Sequence, residues 1–270
     1  HATLRRQRQM CIRDRYSVRI DAYPDQAVTE FEPALKDGLA GGWHFPTDAH
    51  VRPDRLVESF KQALGRQAVD LREQVEVTDI EVESGKVAGV CTSAGRFAAD
   101  LYVVATGAEA PKFAKQLKMQ LPIQPGKGYS LTYDHYVSPP RVPMIFEEHH
   151  VAVTPFENGF RVGSTMEFTG YDRSLNPKRL SLLKKSAVAH LKEGVPDQPT
   201  ESWCGWRPMV YDGLPCIGAV PSLKNLLVAA GNGMVGLASA PATGRLIAEL
   251  ASGKPPHIEP EFYAPDRFRA

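Results

Sequence analysis

The sequence has no apolar run of membrane-spanning length, no excess of one charge and no regular cysteine spacing. A spanning helix needs about 20 mostly apolar residues. The 270 residues carry a formal net charge of +1, which gives no indication of a nucleic-acid partner. The four cysteines lie without pairing or metal-ligand spacing, at Cys11, Cys91, Cys204 and Cys216. This usage is typical of a reducing compartment, and we expect a cytoplasmic protein or one at the inner face of the plasma membrane.

The opening segment, residues 1–19, lacks apolar periodicity and carries the basic run of the sequence. The arginines of that basic run are Arg5, Arg6, Arg8, Arg13 and Arg15. A nucleic-acid-binding arm is one interpretation, but we favour a non-family or artefactual segment and exclude it from the fold prediction.

Hydrophobic periodicity predicts a mixed α/β protein. Apolar residues at helical spacing predict a helix from Pro53 to about Gly65, and a second helix begins at Asn176-Pro177. The alternating segment from Val69 to Arg96 predicts an antiparallel meander. Two continuous apolar runs, Leu101–Gly107 and Asn225–Ala230, predict buried strands, and the first suits a parallel sheet.

Several polar residues invite a metal-binding interpretation that their spacing does not favour. Asp48, His50 and Asp54 lack a recognised ligand spacing. His149 and His150 are adjacent, and neighbouring strand residues point to opposite faces. We therefore predict solvated loop and turn residues and no metal.

The stretch from Gly205 to Leu250 holds the residues with the most chemical content. The planar guanidinium of Arg207 suits bidentate binding of a carboxylate, although a structural salt bridge is an alternative. Residues 231–236 read GNGMVG between a predicted strand and a helix. Backbone N–H groups at such a turn stabilise negative charge on a ligand, but a turn that only tightens strand–helix packing has the same pattern.

Six blocks in order resemble the FAD-dependent D-amino acid oxidoreductases, in the branch of D-amino acid dehydrogenase (small subunit) and glycine oxidase. They are GGWHFPTDAHVRP, YVVATGAEA, PIQPGKGYSLTY, VAVTPFENGFRVGSTMEF, GWRPMVYDGLPCIG and VAAGNGMVGLASAPATGRLIAEL. The resemblance covers roughly Tyr23 to the C-terminus. It implies a remnant of a Rossmann-like FAD-binding domain plus a sheet-rich substrate-binding domain of the D-amino acid oxidase type.

The resemblance also sets the expected domain bounds. Residues 41–110 and 205–253 would form the FAD-binding remnant, residues 111–204 with 20–40 the substrate-binding domain, and residues 254–270 a tail. The family's first βαβ unit, with its G-x-G-x-x-G turn and ribose-binding acid, has no counterpart. We therefore expect a fragment that binds FAD weakly or not at all.

FAD is the cofactor that the resemblance implies. The predicted cofactor-binding residues are Gly231, Asn232, Gly233, Met234, Val235, Gly236, Leu237, Thr106, Gly107 and Val77. For Thr106-Gly107 a simple strand-to-helix turn is the alternative. A covalent flavin link through Cys216 is conceivable from the sequence, but a small buried thiol is favoured.

The resemblance assigns an amino acid as the substrate. Arg207 would hold its carboxylate, with Trp206 shielding the pair from water. Tyr129 either donates a hydrogen bond to the substrate or packs as a strand aromatic. No general base is assigned, because a neutral amine and direct hydride transfer need none. Asn232 and Met234 stand where glycine oxidase-like relatives can carry an arginine, which favours the dehydrogenase-like branch and substrates larger than glycine.

The resemblance implies that the parent enzyme oxidises the Cα–N bond of an amino acid, of D configuration in view of the family, to a 2-oxo acid and ammonia. Electrons would pass from flavin to a quinone or to oxygen. The alternatives are a non-catalytic binding or interaction domain and one subunit of a hetero-oligomeric flavoenzyme. A basic helix face at Lys184-Lys185 allows peripheral membrane contact, although an ordinary solvated face is favoured.

Overall fold

The computed structural model describes residues 18–136 and 138–268. Cys11 and the five arginines of the basic run lie outside the described residues, so the prediction for that segment stays a prediction. Strands and helices are both present, which confirms the α/β class. In the described ranges, no helix is both long and apolar enough to cross a membrane.

The bounds of the elements are as follows. The helices are α1 (Ala27–Phe31), α2 (Pro53–Arg66), α3 (Ala114–Leu117), α4 (Pro177–His190) and α5 (Gly236–Ala251), with 3-10 turns at Gly107–Phe113, Gly233–Val235 and Pro260–Tyr263. The strands are β1 (Asp21–Pro24), β2 (Gly41–His44), β3 (Val77–Glu83), β4 (Lys86–Thr92), β5 (Gly95–Phe97), β6 (Tyr102–Val104), β7 (Ile123–Asp134), β8 (Met144–Phe146), β9 (Val151–Phe156), β10 (Gly159–Glu167), β11 (Glu201–Val210), β12 (Cys216–Ala219) and β13 (Leu226–Ala230).

Both long predicted helices are confirmed, and each begins with proline at its first position. The fixed φ of proline suits that position, where a missing N–H costs nothing. The side chain of Asn176 caps α4 by accepting a 3.0 Å hydrogen bond from the N–H of Lys178. The apolar face of α2 is not buried, because Val57 and Phe60 are about 60% exposed.

The chain divides into two compact units. Unit 1 comprises His1–Val69, Tyr129–Thr165 and Ser174–Cys204, and unit 2 comprises Asp70–Gly128, Met166–Arg173 and Gly205–Ala270. The division at Gly205 coincides with the predicted one, whereas residues 41–69 belong to unit 1 and residues 111–128 to unit 2. The predicted roles of the domains are untested by this division and stay predictions.

Unit 1 is built on antiparallel strands. β9 pairs with β8 on one side and with β10 on the other, within a sheet of order β11-β7-β10-β9-β8. Alternate residues of β9, Val151 and Val153, are fully buried against a core that includes Leu183 of α4. His149 and His150 are exposed in the turn that joins β8 and β9, as predicted for solvated residues.

Unit 2 contains two small sheets. β3, β4 and β5 form the predicted antiparallel meander. The other sheet has the order β12-β13-β6, in which β13 and β6 are parallel. The side chain of Asn225 joins the two sheets: its amide oxygen accepts from Val87 N–H at 2.8 Å, and its amide nitrogen donates to Val87 O at 3.0 Å. The core of this unit lies between these sheets and includes Leu117 and Val228.

Candidate active site

Two of the predicted cofactor-binding segments meet at one edge of a sheet. β6 and β13 run parallel, with Leu226 opposite Tyr102 and Val228 opposite Val104. The carboxyl ends of the two strands therefore lie side by side, and they lead into Thr106-Gly107 and Gly231–Gly233. In open α/β sheets, this edge is where ligands bind.

The turn after β13 requires glycine. Gly231 has φ +88° and Gly233 has φ +56°, both in the left-handed region that glycine adopts at little cost. A Cβ atom at residue 231 would lie 2.8 Å from Cγ2 of Val210. The amide of Asn232 donates to the hydroxyls of Ser239 and Thr243, each at 3.0 Å, so this side chain ties the turn to α5. Any contact of Asn232 with a cofactor would then come from its backbone.

The helix that follows presents donors and apolar side chains together. The first N–H groups of α5 and of the 3-10 turn before it have no carbonyl partners within the helix, and they carry the positive end of its dipole. The side chains beside them are apolar and well exposed, with Met234 at 69%, Val235 at 64% and Leu237 at 59%. Such a surface suits a flat ligand with an electron-rich edge.

Arg207 lies on β11 against a glycine of the neighbouring strand. A Cβ atom at Gly128 of β7 would collide with Nη1 of Arg207 and would lie 2.6 Å from its Cζ. The guanidinium therefore occupies the space that a side chain at residue 128 would fill. Arg207 is partly buried, and that burial lowers its pKa, but an arginine remains charged at any ordinary pH.

Met209 links Arg207 to the glycine turn. Residues two apart on a strand share a face, so Arg207 and Met209 project to the same side of β11. A Cβ atom at Gly126 would lie 2.8 Å from Cγ of Met209, and one at Gly233 would lie 3.9 Å from its Sδ. One face of β11 therefore carries both the guanidinium of Arg207 and the side chain of Met209, which reaches Gly233 in the turn.

The predicted shielding role of Trp206 is wrong. As the immediate neighbour of Arg207 on β11, Trp206 projects to the opposite face. There its ring packs edge-on against Tyr171, with centroids 5.5 Å apart, and under the guanidinium of Arg173 at 4.8 Å. Tyr171 in turn donates a hydrogen bond of 2.8 Å to Ala108 O, so Trp206 packs against a tyrosine that is tied to the 3-10 turn at Gly107–Phe113.

The other predicted site residues have different surroundings. Tyr129 is 2% exposed and belongs to the apolar core of unit 1, which supports the interpretation as a strand aromatic. Val77 begins β3, in the meander sheet, not in the sheet whose edge holds the glycine turn. Cys216 is fully buried, and burial raises its thiol pKa, as expected for a structural thiol.

Sequence analysis missed Gly126 and Met209, and it did not connect Gly128 with Arg207. A signal was available, because two glycines at alternate positions within a strand pattern mark a close approach of other atoms on one face. The residue between them, Lys127, is fully buried on the other face, where its Nζ lies 2.7 Å from Oδ2 of Asp172 and 3.8 Å from Oε1 of Glu167.

Comparison with known proteins decides the family. The model of the FAD dependent oxidoreductase family, DAO, matches residues 2–250, a range that includes most of the opening segment excluded above. The chain belongs to this family. It is 34% identical over 245 residues to a D-amino acid dehydrogenase of Paramagnetospirillum magneticum, covering 89% of this chain and 58% of that protein.

Further relatives agree with this assignment. A glycine oxidase of Pseudomonas putida is 34% identical over 252 residues, with 92% of this chain and 68% of that protein covered. The crystal structure of glycine oxidase from Geobacillus kaustophilus superposes with a TM-score of 0.84 at 27% identity, covering 98% of this chain and 71% of that one. The chain thus spans less than two thirds of the length of the D-amino acid dehydrogenase above.

The cofactor of this family is FAD, and the glycine turn fits a flavin. The backbone donors and the exposed apolar side chains of the turn match the polar edge and the flat face of the ring. The residues that would hold it are those of Gly231–Leu237, with Thr106-Gly107 at the same sheet edge.

Proposed function

We propose that the chain is the substrate-binding and flavin-contacting part of an enzyme that oxidises an amino acid at its Cα–N bond. The observation that carries the proposal is the shared face of Arg207 and Met209, with Met209 reaching Gly233. The family and the names of the relatives support an amino acid substrate. The D configuration is the finer part of the proposal and is supported by the dehydrogenase among those relatives.

The guanidinium of Arg207 occupies the space that Gly128 leaves open. Its planar fork binds the substrate carboxylate. When bound, FAD supplies the two-electron acceptor for the hydride that leaves Cα. The lone pair of the neutral amine forms the C=N bond as that hydride leaves, so the protein needs no side-chain base. Water then hydrolyses the imino acid to a 2-oxo acid and ammonia.

The glycine turn supplies fixed charge stabilisation. The N–H groups at the start of α5 carry partial positive charge, and they would stabilise the negative charge that a flavin held by Gly231–Leu237 gains as the substrate is oxidised. Because glycine allows the backbone itself to approach, this stabilisation needs no mobile side chain.

The proposal is tested on the purified chain in a large excess of added FAD, which offsets the weak binding expected above, mixed without air with a panel of D- and L-amino acids. We expect bleaching of the flavin absorbance by D-amino acids, and its return on admission of oxygen or a quinone identifies the electron acceptor. Arg207→Met should abolish bleaching, and Arg207→Lys should keep part of it. Flavin that is retained but never bleached by any amino acid would contradict the proposal.

A further inference from the structure

Two methionine side chains form an apolar surface beside the guanidinium of Arg207. Met166 of β10 and Met209 of β11 approach Gly126 on β7 from either side: a Cβ atom at residue 126 would lie 3.2 Å from Sδ of Met166 and 2.8 Å from Cγ of Met209. Gly126 and Gly128 share a face of β7, because they are two residues apart. The pair of thioethers therefore lies next to the guanidinium on one face.

The backbone before Met166 is unusual. Ser164 has φ +130° and Thr165 has φ +53°, values that a non-glycine residue, and above all a β-branched one, rarely adopts. The regular pairing of β10 with β9 also ends at Ser164. Such distortions redirect the side chain that follows, and they concentrate at functional sites.

Resting on the proposed function, we infer that Met166 and Met209 form the subsite for the substrate side chain. This subsite suits a substrate with a flexible, unbranched apolar side chain. Glycine, which has no side chain, and substrates with an acidic side chain fit it less well. Methionine is unbranched and polarisable, so two of them form a surface that adapts to chains of different length. Both are half-buried, so each keeps part of its surface open to a ligand. Because Gly126 has no side chain, both methionine side chains can pack directly against the backbone of β7.

The test measures binding of straight-chain carboxylates from acetate to hexanoate to the purified chain by titration calorimetry. These probes carry the acid and the apolar chain, and their binding gives a readout separate from catalysis. We expect affinity to rise by up to about fourfold for each added CH₂ group. Met166→Gln and Met209→Gln keep the side-chain length but add polarity, and each should flatten this dependence. Met166→Leu and Met209→Leu should preserve it.

Ile145→Gln is the matched control, because Ile145 is 64% exposed on β8 of unit 1 and the same change there should leave the dependence intact. Equal affinity along the series, with acetate binding lost in Arg207→Met, would overturn the inference and leave the carboxylate site standing. Absence of binding by every probe would overturn both. An unchanged dependence in both glutamine variants that remain folded would also overturn the inference.

Discussion

Arg207 occupies the place of the side chain that Gly128 lacks, and its Cζ lies 2.6 Å from the position of a Cβ there. The atoms in the way are the far end of a flexible side chain, which can move at small cost. Gly128→Ala should therefore leave stability within about 1 kcal/mol of the wild type but displace the guanidinium. We expect at least a tenfold loss in acetate affinity, measured by calorimetry alongside thermal unfolding.

Gly163→Ala is the control for this change. A Cβ atom at Gly163 would meet its nearest neighbour at 3.5 Å, which is ordinary contact. Its acetate affinity should match the wild type. Equal affinities in both variants would show that Gly128 is not needed for the binding position of Arg207.

Gly159 illustrates the opposite case. A Cβ atom there would collide with the backbone carbonyl oxygen of Tyr133 and lie 2.9 Å from Cα of Asp134. Backbone cannot move aside as a side chain does, so Gly159→Ala should lower the free energy of unfolding by about 1–3 kcal/mol. Gly65→Ala, in α2 with open space around it, should instead be neutral or add up to about 1 kcal/mol. Urea titration distinguishes the two, and similar values for both variants would refute the argument.

The buried ammonium of Lys127 depends on Asp172. Its Nζ is within 2.7 Å of Asp172 Oδ2, and Asp172 itself is 44% exposed, so water screens part of the attraction. Asp172→Asn should cost about 1–3 kcal/mol, because a buried charge loses its nearest counter-charge. Asp197→Asn removes the partner of Lys184 in a surface pair and should cost clearly less than Asp172→Asn, because water screens that pair. Chemical denaturation measures both losses of unfolding free energy. Equal losses in the two variants would show that burial of Lys127 does not strengthen its dependence on Asp172.

Glu249 provides a pH-dependent contribution to stability. The hydrogen bond from His257, at 2.8 Å, is the main cause that lowers the pKa of Glu249 from 4.5 to about 2. A folded-state pKa below the unfolded value means that the stabilisation is complete above pH 4.5 and is lost as the pH falls towards 2. The stability difference between wild type and Glu249→Gln should therefore shrink over that interval. A difference that stays constant in urea titrations across it would contradict the shift.

Sequence patterns predicted the helices and strands better than they predicted which faces of those elements are buried. The helix from Pro53 and the parallel strand at Leu101–Gly107 followed from periodicity and were confirmed. Periodicity could not show that the apolar face of α2 is exposed, because it reports which residues share a face and not what covers them.

Residue chemistry alone also left the site incomplete. The resemblance singles out Arg207, but Trp206 does not shield it, because adjacent residues of a strand lie on opposite faces. The space for the guanidinium comes from Gly128, nearly 80 residues earlier in the chain, and no local pattern connects the two. From the sequence, Tyr129 could either donate a hydrogen bond to the substrate or pack as a strand aromatic. Its burial depends on strands that are distant in the sequence, so no local pattern predicts it.

The parallel pairing of β6 with β13 brings together residues that are separated by roughly 120 positions. Closing so long a loop is entropically slow, so contacts of this kind form late when a chain acquires its structure. The edge formed by β6 and β13 therefore assembles after the local hairpins and helices. It cannot form during synthesis until β13 has left the ribosome.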